Sequence, residues 1–445
     1  MAASLQKMND AEKLNVLVKF ITKQEQYAVP GASVSIPADI DGAGLNKVIQ
    51  TFLKKSGATI GSDFPQFEFI VKGQFLVGPL KKQLDEDDIS LEKVIEIEYL
   101  KQQPPPTPKD SLQHDDWVAS LQCTDKWLLT GCYDNTLHLW DAEGLHAGKG
   151  EKAHTLTIPA HKAPVKAVAW VHTNSPTKTF VSASIDQTAV VWVWQSDTNT
   201  VECVSECRGH SQSVECIAVS PSTKRFATGS WDNLLKIWSL SRKPLPEEEE
   251  EAADDDDEQD RKKMRGSTKK PEKKTPIMTL AGHSESVGSA VWMSDEEVIT
   301  GSWDHSLRIW DLEIGGLRQQ FNSNCAIFSV SWSPINGTIL TSSADKFIRL
   351  YDARISDGSI VQQKYVSHTK WVPSVKWSAV AEHLFVSGGY DNVIKMWDSR
   401  RPKAPLYDLT GHSDKVLAVD WSNPKFIVSG SADCTAKVYS SEKDV

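Results

Sequence analysis

The sequence lacks the features that mark membrane proteins and secreted disulfide-rich proteins. In its 445 residues no apolar run reaches the roughly 18 residues that a membrane span needs, and the N-terminus shows no signal-peptide core. The cysteines number seven and include no C-x-x-C pair, which argues against a disulfide framework and indicates a reducing compartment. We therefore expect a soluble intracellular protein.

The sequence also lacks an excess of basic residues and the common catalytic motifs. Lys and Arg number 49 against 59 Asp and Glu, which gives a net charge of −10, whereas a broad nucleic-acid-binding surface needs a basic excess. Neither G-x-S-x-G nor G-x-x-x-x-G-K-[ST] occurs. Cys203, Cys207 and Cys216, with His210 between them, fit no common zinc spacing, and the alternation of VECVSEC predicts a strand. We expect no enzyme activity and no cofactor.

The sequence is rich in tryptophan, with 16 Trp against 8 Tyr, and the excess comes from a sevenfold repeat. Each repeat has a Ser or Thr, an Asp four residues later and an aromatic residue six further on. In six repeats a His precedes the Asp by 20 to 25 residues, and the fifth has Asn324 in that region. The seven Asp residues are Asp134, Asp186, Asp232, Asp304, Asp345, Asp391 and Asp433.

This frame resembles the WD40 family over about 112–440, which implies a seven-bladed all-β propeller. A buried Asp must be hydrogen-bonded, and an imidazole, a hydroxyl and an indole can satisfy it. The family's structural tetrad then falls on His210, Thr228, Asp232 and Trp238, and on His283, Thr300, Asp304 and Trp310. A Ser/His/Asp set repeated in this way is a scaffold and not one active site. Too little chain follows Tyr439 for a last outer strand, so we expect 107–113 to supply it.

The first 100 residues contain no such frame. Their pattern predicts strands in KLNVLVKFIT and from Tyr27 to Pro37, a helix in GLNKVIQTFLKK, a hairpin in FEFIVKGQFL and a last strand in SLEKVIEIEYL. This ββαββ order is typical of a small α+β ubiquitin-like domain. The chain thus divides into a ubiquitin-like domain over 1–100, a proline-rich linker over 101–110 and a propeller over 111–445. A charged segment over 244–276 is expected to be a disordered insertion, and its basic half is a candidate import signal.

A ubiquitin-like domain before a WD40 propeller resembles the Notchless-like propellers of ribosome assembly, and above all the WD-repeat subunits of the PeBoW complex. The hairpin, the SLEKVIEIEY strand and the acidic insertion carry this resemblance. It implies a nucleolar and nucleoplasmic factor for maturation of 28S and 5.8S rRNA on pre-60S particles. The implied partners are the Block-of-proliferation protein, Pescadillo and the AAA+ ATPase midasin. It also implies that Glu92 completes the shell of a metal ion, such as Mg²⁺, held by midasin.

The residue before each turn Asp is expected at one end of the central channel, and several are large aromatics. We predict a protein-binding face formed by Tyr133, Trp231, Trp303, Tyr390 and Trp371. Two other functions remain open. A substrate-receptor adaptor in a ubiquitin-linked pathway would need a ligase-docking segment, and a propeller enzyme would need a polar cluster outside the tetrads.

Overall fold

The computed structural model describes residues 15–29, 31–55, 65–76, 78–86, 94–146, 150–173, 175–241, 271–354 and 361–441. They form two compact units, divided between Pro105 and Pro106. No helix in these ranges is long and apolar enough to cross a membrane.

The N-terminal unit is a five-stranded mixed sheet with one long helix packed on it. Its strands are β1 (Asn15–Ile21), β2 (Val34–Pro37), β3 (Phe67–Val71), β4 (Gln74–Phe75) and β5 (Ile95–Lys101). Their order in the sheet is β2-β1-β5-β3-β4, with β1 and β5 parallel. This order is that of a ubiquitin-like fold. The hairpin turns at Lys72 and Gly73, both with positive φ, where the sequence predicts it.

The helices of this unit are α1 (Gly42–Lys55) and the short α2 (Leu80–Glu86), with a 3-10 turn at Glu25–Tyr27. Helix α1 buries Leu45, Ile49 and Leu53 against the sheet, as its 3.6-residue periodicity predicts. The sequence did not predict α2. It also extended the second strand too far, because the chain at residues 25–27 is a 3-10 turn held by Tyr99, whose hydroxyl donates to the carbonyl of Tyr27 at 2.6 Å.

The C-terminal unit contains seven sheets, each built on four antiparallel strands that form a blade of a propeller. The first strand of each blade contributes to the wall of a central channel, and the strands below are given from the channel outward. Blade 1 has Val118–Cys123, Trp127–Cys132, Thr136–Asp141 and His154–Pro159. Blade 2 has Val165–His172, Thr177–Ser184, Thr188–Gln195 and Thr200–Arg208. Blade 3 has Val214–Val219, Arg225–Ser230, Leu235–Ser239 and Met278–Leu280.

The remaining four blades repeat this plan. Blade 4 has Val287–Trp292, Glu297–Ser302, Ser306–Asp311 and Gly316–Asn322. Blade 5 has Ile327–Ser333, Thr338–Ser343, Phe347–Asp352 and Val361–Val366. Blade 6 has Ser374–Trp377, Leu384–Gly388, Ile394–Asp398 and Tyr407–Leu409. Blade 7 has Val416–Asp420, Phe426–Ser431, Thr435–Ser440 and, as its outer strand, Thr107–Gln113. In blade 1 a short helix, α3 (Ala142–His146), and a 3-10 turn (Gly150–Ala153) connect the last two strands.

Neighbouring blades approach closely where the second strand carries glycine. A Cβ on Gly301 would lie 2.6 Å from Cγ2 of Ile327 in blade 5, and one on Gly388 would lie 2.6 Å from Cγ1 of Val416 in blade 7. The glycine is therefore required by the β-branched side chain of the next blade, and it accounts for the T-G-S sequence that ends the second strands of blades 3 and 4.

The structure corrects two boundaries drawn from the sequence. The predicted linker over 101–110 is shorter, because β5 extends to Lys101 and the ring-closing strand already begins at Thr107. The end of the predicted disordered insertion, 271–276, is described, and Glu272–Lys274 is a strand parallel to Ser205–Cys207 of blade 2. Backbone pairing needs no apolar side chains, so composition alone could not indicate it. The rest of that insertion, residues 244–270, lies outside the described residues.

Candidate protein-binding site

The residues that precede the turn Asp lie at one edge of the ring, because each makes the same backbone contact. The amide of Trp231 donates to the carbonyl of Ser213, and that of Trp303 to the carbonyl of Ser286, both at 3.0 Å. Tyr390 bonds in the same way to Trp371, and Tyr133 to Trp117. Every acceptor lies just before the first strand of the same blade. These residues therefore surround one mouth of the channel.

Aromatic side chains at this mouth form a nearly continuous band, which we call the aromatic rim. Trp231 contacts Trp303 with ring centroids 5.0 Å apart, and Phe328 lies 5.6 Å from both Trp303 and Trp371. The band ends at Tyr390, 5.9 Å from Trp371. Trp117 and Tyr133, with ring centroids 5.3 Å apart, form a separate pair that completes the rim. The members are Trp117, Tyr133, Trp231, Trp303, Phe328, Trp371 and Tyr390.

The rim combines rigid packing with solvent exposure. Trp117, Trp231 and Trp371 are 40%, 42% and 50% exposed, and the other members are half-buried. Trp303 lies over Gly288, where a Cβ would come within 3.2 Å of the indole Nε1. Exposed rings held in place by other rings lose little side-chain entropy when a partner covers them, which is the property of interface hot spots. The sequence predicted five members and missed Trp117 and Phe328.

Cations lie beside the two tyrosines of the rim. Lys166 donates to the Tyr133 hydroxyl at 3.1 Å and pairs with Glu215 at 3.0 Å. Burial opposes the charge on Lys166, but Glu215 raises its pKa to about 12, so it stays protonated at neutral pH. Lys415 lies over the Tyr390 ring at 5.3 Å.

Below the rim the channel has a volume of about 850 Å³. In its wall Lys166 pairs with Glu215 and Lys376 pairs with Asp420 at 3.5 Å. Among the described residues, each charged side chain in this wall is thus held in an ion pair. The arrangement provides a rigid docking surface above a narrow channel, and its described part contains no set of groups arranged for acid–base or nucleophilic chemistry.

The buried tetrads hold the turns that present the rim. In blade 4 the indole of Trp310 donates to Thr300 at 2.8 Å, the Thr300 hydroxyl lies 2.7 Å from Nε2 of His283, and Nδ1 of His283 donates to Asp304 at 2.7 Å. The carboxylate in turn accepts the amides of Ser284 and Ser306. The same chain occurs in blades 2, 3 and 6, where it links His161, Ser182, Asp186 and Trp192; His210, Thr228, Asp232 and Trp238; and His368, Ser387, Asp391 and Trp397.

These contacts have the connectivity of a Ser-His-Asp triad, but the hydroxyl is inaccessible. Thr228, Thr300 and Ser387 have no exposed surface, and each already accepts a hydrogen bond from an indole. A nucleophile needs access to a substrate carbon. The tetrads therefore stabilise turns.

Three blades depart from the tetrad. In blade 5, which lacks the His, the guanidinium of Arg349 bonds Asp345 and Ser343. In blade 7 the Tyr439 hydroxyl is buried without a hydrogen-bond partner among the described residues. In blade 1 Nδ1 of His114 donates to the carbonyl of Leu112 at 3.2 Å, not to Asp134.

The predicted metal-docking residue, Glu92, lies outside the described residues. The sequence has four further acidic residues close to Glu92, at positions 85 to 88, which make the matching position less certain. Asp85 and Glu86 end α2, and residues 87–88 are outside the described residues as well. Cys203 and Cys207 lie on the outer strand of blade 2, as the alternation predicts, and all seven cysteines are free thiols.

Comparison with known proteins matches both units. The family model "NLE (NUC135) domain" matches residues 16–84, and "WD domain, G-beta repeat" matches seven segments, 107–141, 151–193, 201–239, 274–311, 315–352, 359–398 and 403–440. The chain is 47% identical to a "Ribosome biogenesis protein WDR12 homolog" of Drosophila pseudoobscura pseudoobscura, over 96% of each chain. It is 44% identical to the protein of the same name from Culex quinquefasciatus, over 95% of this chain and 94% of that one.

Proposed function

The chain belongs to the family of the WDR12 homologues, and on that basis we propose that it is a non-enzymatic scaffold of large-ribosomal-subunit biogenesis. The observation that carries this proposal is the aromatic rim, a rigid and partly exposed surface at one mouth of the propeller. The names of the relatives support ribosome biogenesis. We propose more specifically that the chain is a subunit of the PeBoW complex. In that complex it would act in the maturation of 28S and 5.8S rRNA on pre-60S particles, in the nucleolus and nucleoplasm.

We assign the aromatic rim to the Block-of-proliferation subunit, with Pescadillo joining the same complex. Large aromatic side chains in a fixed arrangement suit an obligate protein partner better than RNA, since the net charge of −10 disfavours a phosphate backbone. Crosslinking mass spectrometry on the tagged full chain in dividing cells tests this. Links from rim-adjacent Lys166 or Lys415 to assembly factors support it. Links to a ubiquitin ligase would instead favour the substrate-receptor adaptor, and no stable partner would contradict both.

We further propose that the N-terminal unit docks on midasin through Glu92. Two described residues next to this segment support a contact surface, since Val94 is 47% exposed and Leu17 is 46% exposed. They precede the matched parallel pair Val18 and Ile95 of β1 and β5. A hard cation held by midasin accepts a carboxylate oxygen at an open octahedral position, so Glu92 would supply one ligand to an ion that midasin holds.

Glu92→Ala should abolish Mg²⁺-dependent binding of the full chain to midasin while association with the assembly partners persists. Glu92→Asp, one methylene shorter, should weaken it, because octahedral geometry is exacting. Glu96→Ala is the matched control, since Glu96 lies four residues along and pairs with Lys19 at 3.3 Å. Normal binding of Glu92→Ala would refute this assignment and direct the search to Asp85 and its neighbours.

A further inference from the structure

Blade 1 differs from the other blades at two positions of the repeat. Two residues before the turn Asp it has Cys132, where five blades have serine: Ser184, Ser230, Ser302, Ser343 and Ser431. Four residues after the Asp it has His138, where blade 2 has Val190 and the other five have Lys or Arg. Both changes introduce side chains that bind transition metals.

The fold brings these two residues to His114, the residue that departs from its tetrad. One potential ligand atom from each of His114, Cys132 and His138 lies within 4.8 Å of the other two, and all three residues are buried. The rings of His114 and His138 are edge to face, with centroids 4.8 Å apart. His154 lies behind them, its Nε2 3.2 Å from Nδ1 of His138. This cluster could not be predicted from the sequence, because the three residues come from separate segments of the blade.

Neighbouring hydroxyl groups hold the ring nitrogens that a metal would take. Nδ1 of His114 donates to the Leu112 carbonyl, the backbone contact that orients metal-binding histidines, and its Nε2 lies 2.9 Å from the Thr130 hydroxyl. Nε2 of His138 lies 2.9 Å from the Thr136 hydroxyl, so an ion would replace one hydroxyl contact at each imidazole. The Cys132 thiol makes no hydrogen bond in the described part of the chain.

We propose that His114, Cys132 and His138 bind one zinc ion. Imidazole nitrogen and thiolate sulfur are the ligand types that zinc takes, and a water molecule would complete the tetrahedron. Binding releases the Cys132 proton to solvent. The three ligand atoms lie within 4.8 Å of one another. Zinc–ligand bonds of roughly 2.0 to 2.3 Å place neighbouring ligand atoms about 3.5 Å apart. The three side chains must therefore move closer together to bind the ion.

The position of the cluster gives the ion a structural role. His114 directly follows the ring-closing strand Thr107–Gln113, and its amide donates to the Cys434 carbonyl of blade 7 at 2.9 Å. Cys132 and His138 belong to the second and third strands of blade 1. Zinc would thus connect the end of the ring-closing strand to the hairpin of blade 1 and strengthen the closure of the propeller.

The test uses the full chain, stripped with EDTA and then titrated with Zn²⁺ or Co²⁺. We expect one equivalent to bind, a thiolate-to-cobalt charge-transfer band, and a melting temperature that rises with zinc. Cys132→Ser, which restores the residue of the other blades, should remove the band and weaken zinc affinity by at least tenfold. His138→Val, which introduces the residue that blade 2 has at this position, should also weaken zinc affinity. Cys207→Ser is the control, since Cys207 is an equally buried thiol that is not part of the cluster.

Absence of stoichiometric binding, or equal binding by parent and Cys132→Ser, would overturn the proposal. The melting temperatures separate a metal site from simple packing. In EDTA, parent and Cys132→Ser should unfold at similar temperatures, and zinc should raise only that of the parent. A difference of equal size with and without zinc would show that Cys132 acts through packing alone.

Discussion

At the scale of single residues, the spacing of the repeat predicts the tetrads because a buried carboxylate requires donors at fixed positions. Four blades make the complete chain of hydrogen bonds. The substitute in blade 5, Arg349, could not be predicted, because it reaches Asp345 from the third strand and not from the His position. For the same reason the altered role of His114 appears only in the structure.

Two buried serines on adjacent blades allow the tetrad to be tested with matched changes. Ser387 in blade 6 accepts a hydrogen bond from Trp397 at 2.9 Å and contacts His368 at 2.7 Å. Ser342 in blade 5 is equally buried, and its hydroxyl has no partner among the described residues. Ser387→Ala should cost about 1–3 kcal/mol, because it leaves the indole N–H unsatisfied, and Ser342→Ala should cost almost nothing. Urea unfolding measures both, and equal costs would contradict the account.

The tetrad carboxylates predict a loss of stability in acid. Burial opposes ionisation of Asp391, but the hydrogen bond from His368 prevails and lowers the pKa to about 2. The pKa of an unfolded Asp is about 3.9, so the stabilisation is complete above that pH and is lost as the pH falls toward 2. Asp391→Asn should be less stable at pH 7 and should lose less stability between pH 5 and pH 2. Urea midpoints across this range check the slope, and an unchanged slope would count against the assignment.

At the scale of elements, regular patterns were predictable and short or charged elements were not. Helix α1 follows from its apolar spacing. Helix α2 has seven residues, too few for a period to appear, and it buries only Leu80, Leu84 and part of Gln83. The strand Glu272–Lys274 is charged throughout, and its contacts come from the backbone and from Lys274, which donates to the carbonyls of Ser239 and Ser241.

This strand changes what a deletion of the charged insertion should do. Composition alone predicts that residues 247–274 contribute little to folding, but the strand Glu272–Lys274 falls within that span. Deleting 247–270 should leave the melting temperature nearly unchanged, whereas deleting 247–274 should lower it by a few degrees, roughly the effect of 1 kcal/mol. Calorimetry on the two deletions makes the comparison, and equal melting temperatures would show that the strand adds no stability. If the basic half is an import signal, both deletions should also shift the protein toward the cytoplasm.

At the scale of the whole molecule, the count of repeats predicts both the ring and the strand that closes it. As the sequence predicts, Thr107–Gln113 is the outer strand beside Thr435–Ser440. The aromatic rim was predictable in part, since the position before each turn Asp is fixed by the repeat. Trp117 and Phe328 could not be predicted as members of the rim. Trp117 precedes the first strand of blade 1 and Phe328 lies near the start of the first strand of blade 5, and both join the rim only through their packing against other rim residues.

The most direct test of the central claim is affinity purification of the tagged full chain carrying Trp231→Ala and Trp303→Ala, with the Block-of-proliferation subunit quantified by mass spectrometry. The control carries Ile314→Ala and Leu317→Ala, which are 69% and 42% exposed and follow the third strand of blade 4 at the edge opposite the rim. Loss of hot-spot tryptophans typically costs at least about 2 kcal/mol each. We expect recovery of the partner to fall at least tenfold for the double tryptophan variant and to stay unchanged for the control. Unchanged recovery with a folded tryptophan variant would contradict the account.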